Sequence, residues 1–204
     1  MKMQFNPDEL HQKEVYKLLT GLIIPRPIAW VSTINEEGVP NLAPFSYFNA
    51  VGDDPPHVMI SISRSGNLNK DTLNNILKNK EFVVNMVTEE LAEKMNSTAH
   101  PLQPHESEFD FADVQAGDAV KVKPPIVAES PVSLECILEH HYNLENHKNG
   151  GSTIIIGRIV HFHIKDDILT ENFHVNIENY QPISRLAGAN YAKLGELFTI
   201  KRPT

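Results

Sequence analysis

Cysteine is almost missing from this chain: Cys136 stands alone among 204 residues. A lone thiol rules out an intramolecular disulfide and agrees with a reducing compartment. Long hydrophobic runs are missing too. No stretch reaches the ~20 apolar residues that span a bilayer, and the richest, Gly21 to Val31, is broken by Pro25, Arg26 and Pro27. Met1, Lys2, Met3 and Gln4 lead into charged residues rather than the apolar segment of a signal sequence, so a cytoplasmic location is expected. Basic residues are in deficit, 18 Lys and Arg against 26 Asp and Glu, for a net charge of -8. Such a chain has no long-range attraction for nucleic acid or anionic lipid, and any anionic ligand must be gripped locally. G-x-G-x-x-G, G-x-x-x-x-G-K-[ST] and G-x-S-x-G are all absent, which excludes a Rossmann dinucleotide site, a P-loop and a serine nucleophile elbow.

What is present is an ordinary globular composition, 41% hydrophobic and 22% charged, long enough for one domain over residues 1–204 with a sizeable core. Asn6, Pro7 and Glu9 read as the capped start of a helix that carries Leu10, Val15, Leu18 and Leu19 and stops at Gly21. Ile28 to Ile34 is rich in β-branched and aromatic residues, and Asn35 to Gly38 turns it into a hairpin whose return strand opens at Val39 and ends before Pro44. Val58 to Ser63 and Phe82 to Val87 read as strands, Lys70 to Leu77 and Thr88 to Met95 as helices. From Asn96 to Pro125 the pattern dissolves into a long surface excursion. Val132 to Tyr142 and Thr153 to Lys165 form a second hairpin, turning through Asn146 to Ser152 at Asn149, Gly150 and Gly151. Strands dominate and helices do not alternate with them. The expected fold is mainly β with peripheral helices, an antiparallel barrel.

Two constellations carry chemistry. Ser61, Ser63, Arg64, Ser65 and Gly66, followed by Asn69, Lys70, Asp71 and Thr72 at a helix start, bring together hydroxyls, an ammonium and free backbone N–H groups. That is what a phosphate monoester needs. A capped helix preceded by solvated polar residues accounts for the same spacing equally well. Pro25, Arg26, Pro27, Trp30, Ser32 and Thr33, with Asn41 to Asn49, place aromatic faces beside amides and hydroxyls, suited to a flat heterocycle or, more simply, to a core. Cys136 lies inside an apolar strand as a small hydrophobe. His161 and His163 share one strand face near His140 and His141, but with no ligand spacing to a carboxylate or cysteine they read as surface or interface histidines, and no metal is expected.

The ordered motifs P-R-P-I-A-W-V-S-T (Pro25 to Thr33), N-L-A-P-F-S-Y-F-N-A (Asn41 to Ala50), D-P-P (Asp54 to Pro56), K-D-T (Lys70 to Thr72), E-F-V-V-N (Glu81 to Asn85), S-P-V-S-L-E-C (Ser130 to Cys136) and R-L-A-G-A-N-Y (Arg185 to Tyr191) cover nearly the whole chain. Together they resemble the flavin reductase-like, FMN-binding split-barrel family. The resemblance implies an antiparallel split β-barrel, usually a homodimer, with FMN near the subunit interface. It would set Lys70 and Thr72, with Ser61 or Ser63, on the phosphate, and Asp71 beside Lys70. Trp30, Ser32, Thr33, Asn41, Ala43, Ser46, Tyr47, Phe48 and Asn49 would lie along the ring and ribityl chain, through backbone N–H groups as much as side chains, with Arg185 adding positive charge. The implied activity is hydride transfer from NAD(P)H to flavin N5, which needs ring stacking and no catalytic side chain, with a partner oxygenase or another acceptor downstream. R-L-A-G-A-N-Y stands where short-chain members often carry a G-D-H-type motif, a likeness to the flavoredoxin-like branch that also implies an alternative, an FMN electron carrier without nicotinamide turnover.

Overall fold

The computed structural model describes residues 1–64, 69–103, 105–144 and 151–203. Helix α1 (Gln12–Leu22) precedes β1 (Arg26–Pro27), β2 (Ala29–Ile34), β3 (Pro40–Phe45), β4 (Phe48–Asp53) and β5 (Pro56–Ser63). Helix α2 (Asp71–Asn79), β6 (Glu81–Asn85), α3 (Ala92–Ser97), α4 (Glu108–Phe111), β7 (Ala116–Gly117) and β8 (Ile126–Val127) follow. The long strands β9 (Val132–Leu144) and β10 (Ser152–Ile164) lead to α5 (Ile177–Tyr180), β11 (Ser184–Arg185) and β12 (Tyr191–Ala192).

Seven strands make one antiparallel sheet in the order β3-β2-β6-β9-β10-β5-β4. Its edge strands β3 and β4 are consecutive in the chain, joined by Ser46 and Tyr47 alone. A sheet whose two edges are held that close must curl on itself, the direction strand twist already favours. The curl gathers Val31, Phe45, Ile60, Val84, Cys136 and Ile155 into one cluster, closed by Leu73 and Ile76 of α2. β2 is buried on both faces. Ala29 and Val31 enter that cluster, while Trp30, with Leu42 of β3, packs against Met95, Phe109, Val127 and Ile183 on the other side. Gly157 of β10 leaves room for Phe82, whose Cζ would lie 2.3 Å from a Cβ at that position.

Three local expectations are corrected. Asn6 caps only a short turn, Pro7–Glu9, accepting from the Asp8 N–H at 3.1 Å. α1 begins a turn later, where the His11 N–H donates to Glu14 Oε2 at 2.8 Å, and it runs through Gly21 to Leu22. β3 continues through Pro44 instead of ending before it, because an edge strand tolerates a residue without an N–H. The described residues of segment 96–125 are not surface throughout. Ser107, Glu108, Phe109, Val114 and Val122 are buried, and β7 pairs with β8 beneath the second cluster. The turn of the β9–β10 hairpin, including Asn149 and Gly150, lies outside the described residues, as do Ser65 and Gly66. Among the described residues no helix is long and apolar enough to cross a membrane.

Candidate functional site

Three adjoining hollows follow β3 from end to end. The middle one, about 270 Å³, is lined by Asn41, Ala43 and Pro44 of β3, by Lys70, Asp71 and Thr72 at the start of α2, and by Thr98 to Leu102 with Glu108. Beyond Pro44 a hollow of about 220 Å³ takes in Phe45, Ser46, Tyr16, Arg185 and Tyr191. Beyond Asn41 a third, about 310 Å³, is walled by Asp71, Asn75, Lys78, Glu106 and Glu108. Register sets this line. Asn41, Ala43 and Phe45 stand opposite Thr33, Val31 and Ala29, so β2 forms the floor and the edge strand forms the rim.

At the middle hollow Thr72 is buried and its Oγ1 accepts from Asn41 Nδ2 at 3.0 Å. The hydroxyl proton of Thr72 is therefore directed elsewhere. Lys70 is the N-cap of α2, and its side chain, which has nothing to accept with, leaves the first N–H groups of the helix uncapped. Its ammonium lies 5.3 Å from the centroid of the Phe45 ring. Arg64, which follows β5 and lines none of the three hollows, keeps a buried Nε with no hydrogen-bond partner among the described residues. Glu108 faces the same hollow; Oε2 accepts from the Leu42 N–H at 2.9 Å. Burial raises its carboxyl above the ordinary glutamate value, the Leu42 N–H and its own N–H pull it back, and nearby Asp71 adds to the rise.

The structure brings together Asn41, Ala43, Lys70, Asp71 and Thr72 in one hollow, and Ser46 and Arg185 in its neighbour. Ser46 Oγ accepts from Arg26 Nε at 3.4 Å, and Arg185 stacks over Tyr191 at 4.5 Å. The buried Arg26 spends the rest of its guanidinium on the carbonyls of Thr20, Ile23 and Leu186, tying α1 to the tail. Trp30, Ser32 and Thr33 sit elsewhere, fully buried in β2 with their polar atoms paired inside. Trp30 Nε1 donates to Thr98 Oγ1 at 2.8 Å, Ser32 Oγ to the Pro125 carbonyl at 2.5 Å, and Thr33 Oγ1 accepts from Asn75 Nδ2 at 3.0 Å. Tyr47, Phe48, Asn49, Ser61 and Ser63 line none of the three hollows. Tyr47 bridges the sheet edges, its carbonyl accepting from the Ser61 N–H at 2.8 Å. Burial, then nearby Tyr16, raises its phenol, with Arg26 opposing. Nothing in the sequence singles out Glu108 or Thr98. A glutamate amid Ser, Glu and Asp carries no local sign that it will be buried.

A second cluster lies away from this groove. Glu135 of β9, 0% exposed, meets His161 and His163 of β10, with potential ligand atoms within 4.8 Å of one another. Its carboxylate is already engaged. Oε1 accepts from Val120 N at 2.7 Å and His163 Nε2 at 2.5 Å, Oε2 from Lys121 N at 2.6 Å and Val122 N at 3.0 Å. Burial alone would raise this carboxyl; the Val120 N–H, His163 and the two further N–H groups together hold it below the ordinary value. The set is that of a clamp on the loop before β8. Burial pushes the adjacent Cys136 thiol far up, with Glu135 adding to the effect, which keeps it an inert core residue.

Comparison with known proteins closes the question of kinship. The model of the flavin reductase-like domain matches residues 21–184. The crystal structure of nitrilotriacetate monooxygenase component B from Bacillus cereus superposes with a TM-score of 0.94 at 40% identity, covering 98% of this chain and 99% of that one. Pseudomonas fluorescens 2-nitrobenzoate 2-nitroreductase NbaA gives 0.89 at 31% identity, covering 99% and 97%. A Shewanella frigidimarina flavin reductase with a split barrel domain, 19% identical, shares the fold at 0.84 over 99% and 100% of the two chains. The curled antiparallel sheet, the motifs along β2 and β3 and these likenesses agree: the chain belongs to the flavin reductase-like family and has its split-barrel fold.

Proposed function

We propose that this chain is an FMN-binding oxidoreductase that uses NAD(P)H to reduce a flavin lying along β3, and hands the electrons to a partner oxygenase or another acceptor. The observation that carries the reading is the convergence of Lys70, Thr72 and Asn41 on one hollow in a member of this family. The groups present fit a flavin phosphate. Among the described residues Lys70 forms no salt bridge and the first turn of α2 lacks a capping side chain. Uncapped N–H groups at a helix start call for an acceptor, and an anion there supplies one.

When bound, the flavin supplies the redox chemistry. The protein's part is to position and to stabilise charge. Asn41 fixes Thr72 as an acceptor, which turns the Thr72 proton toward the hollow as a donor to a phosphate oxygen. Lys70 adds a charge-assisted hydrogen bond. Pro44 and Phe45 provide an apolar wall for a planar ring, paired along β2 with the buried Trp30 and Ala29. Arg185 sets positive charge at the far hollow, where it would balance negative charge gained on reduction. Tyr47, Phe48 and Asn49 hold the corner where the sheet closes, and Ser61 and Ser63 shape the strand leading to Arg64. The name of the Bacillus cereus relative, a monooxygenase component, supports delivery of electrons to an oxygenase.

Anaerobic mixing of the purified protein with FMN and NADH or NADPH tests the activity. The yellow colour of the oxidised flavin is expected to bleach with turnover. Colour that persists beside tight FMN binding would assign the chain to electron carriage without nicotinamide turnover. No gain in thermal stability from FMN would exclude a flavin site, since a ligand at 100 times its Kd stabilises the folded state by about 2.7 kcal/mol. The homodimer is supported by the end of α1 and the two residues after it, which leave Leu19, Leu22, Ile23 and Ile24 exposed. Light scattering is expected to return twice the chain mass of 22.9 kDa, and a monomeric mass would refute the assembly.

A further inference from the structure

Along the chain His161 and His163 have no carboxylate at ligand spacing; the sheet supplies one. Cross-strand register sets His161 opposite Glu135, and His163, two residues on, shares its face of β10. Glu135 is fully buried, while the imidazoles lie at the margin of the core, His163 with 24% of its side chain exposed. The two rings meet edge to face with centroids 4.9 Å apart. A nitrogen of each and a carboxylate oxygen thus come within 4.8 Å of one another. The clamp on residues 120–122 engages Glu135 and His163, and His161 takes no part in it.

We propose that His161, His163 and Glu135 bind one divalent transition metal, with Zn²⁺ the best match, and that the ion locks the segment before β8 onto the β9–β10 hairpin. Two imidazole nitrogens and a carboxylate oxygen suit Zn²⁺, whereas Mg²⁺ and Ca²⁺ take oxygen ligands. Three backbone N–H groups hold the ionised Glu135 in a fixed orientation, the support that ligating carboxylates require from their surroundings. Its remaining acceptor position is the one that His163 Nε2 occupies. There the metal replaces a proton: neutral His163 carries its hydrogen on Nδ1 instead, and Nε2 becomes a ligand. With Zn–N and Zn–O bonds of about 2.0 Å, tetrahedral ligands stand about 3.3 Å apart, so His163 draws back by about 0.8 Å from its 2.5 Å contact. Three protein ligands leave the fourth position to water. None of the three residues lines a hollow along β3. The ion's role is therefore structural, and it is independent of the flavin reading. Through residues 120–122 it steadies Pro125, whose carbonyl accepts from Ser32 of the sheet.

The test uses full-length protein without a histidine tag, stripped of metal by a chelator. Zn²⁺ is titrated calorimetrically into wild type, into His161→Ala and into His140→Ala, a control at an exposed position of the same hairpin. Wild type is expected to take up one Zn²⁺ and to gain about 5 °C or more in unfolding midpoint at saturating metal, with no gain from Mg²⁺. His161→Ala is expected to weaken Zn²⁺ binding about tenfold or more. Its metal-free midpoint is expected to stay within about 2 °C of wild type, because the clamp is untouched. His140→Ala is expected to bind as wild type does. Should His161→Ala fail to fold, Co²⁺ added to wild-type protein decides: the intense visible bands of a four-coordinate ion are expected. No midpoint gain with Zn²⁺, binding that His161→Ala retains in full or that His140→Ala weakens equally, or the weak spectrum of six-coordinate Co²⁺ overturns the site.

Discussion

Glu135→Ala is expected to lower the thermal unfolding midpoint by about 10 °C or more. Three backbone N–H groups, from Val120, Lys121 and Val122, and His163 Nε2 all donate to this one buried carboxylate. Removing it orphans them together, and leaving a buried donor unpaired costs about 1–3 kcal/mol for each group. In a chain of this size each kcal/mol moves the midpoint by roughly 2–4 °C. Glutamine is no rescue, since its amide would turn two donors toward N–H groups. Amide exchange at residues 120–122 is expected to speed up in both variants before global unfolding. The sign of the pH effect follows from the lowered carboxyl. Its contribution is present above the unfolded glutamate pKa of about 4.3 and is lost as pH falls through the lower folded value. Wild-type protein therefore loses more stability on acidification than Glu135→Gln does. A midpoint within about 3 °C of wild type for Glu135→Ala would show that the clamp contributes little.

That clamp marks the boundary of what the sequence could reveal. The β2–β3 hairpin is legible because Ile28 to Ile34 is continuously β-forming and Asn35 to Gly38 is a strong turn, and α2 is legible from Leu73, Ile76 and Leu77 at helical spacing. Both carry their signal locally. The segment 96–125 does not. Phe109, Val114 and Val122 fall at no regular period, and what buries them is distant in the chain: Glu108 on the Leu42 N–H, Ser107 on the Pro40 carbonyl, Glu135 on residues 120–122. A carboxylate at such a position reads as surface charge until its donors are seen. Likewise Trp30, Ser32 and Thr33 read as flavin neighbours because their motif adjoins the groove, yet strand alternation and pairing partners such as Asn75 and Asn85 draw them into the core. Lys70, Thr72 and Asn41 are legible as a group because the helix start is a local feature, although only the fold could bring Asn41 to 3.0 Å from Thr72.

Lys70→Ala is expected to weaken FMN by about 10- to 100-fold and to leave riboflavin within about twofold. The two ligands differ only in the phosphate, so their comparison isolates the group that Lys70 is assigned to hold. A hydrogen bond to a charged partner is worth about 1.5–3 kcal/mol, and about 1.4 kcal/mol is tenfold in affinity. The competing role of this lysine is the contact with Phe45, its ammonium 5.3 Å from the ring centroid. An exposed cation–π contact contributes about 0.5–1 kcal/mol, and its loss would act on the wall that riboflavin and FMN share. Isothermal titration of both flavins with wild type and variant separates the roles: a loss confined to FMN assigns Lys70 to the phosphate, whereas an equal loss for both assigns it to the ring wall. Lys70→Arg sharpens the comparison, because it keeps the charge while changing the reach. It is expected to recover most of the FMN affinity if charge at the uncapped start of α2 is what grips the phosphate.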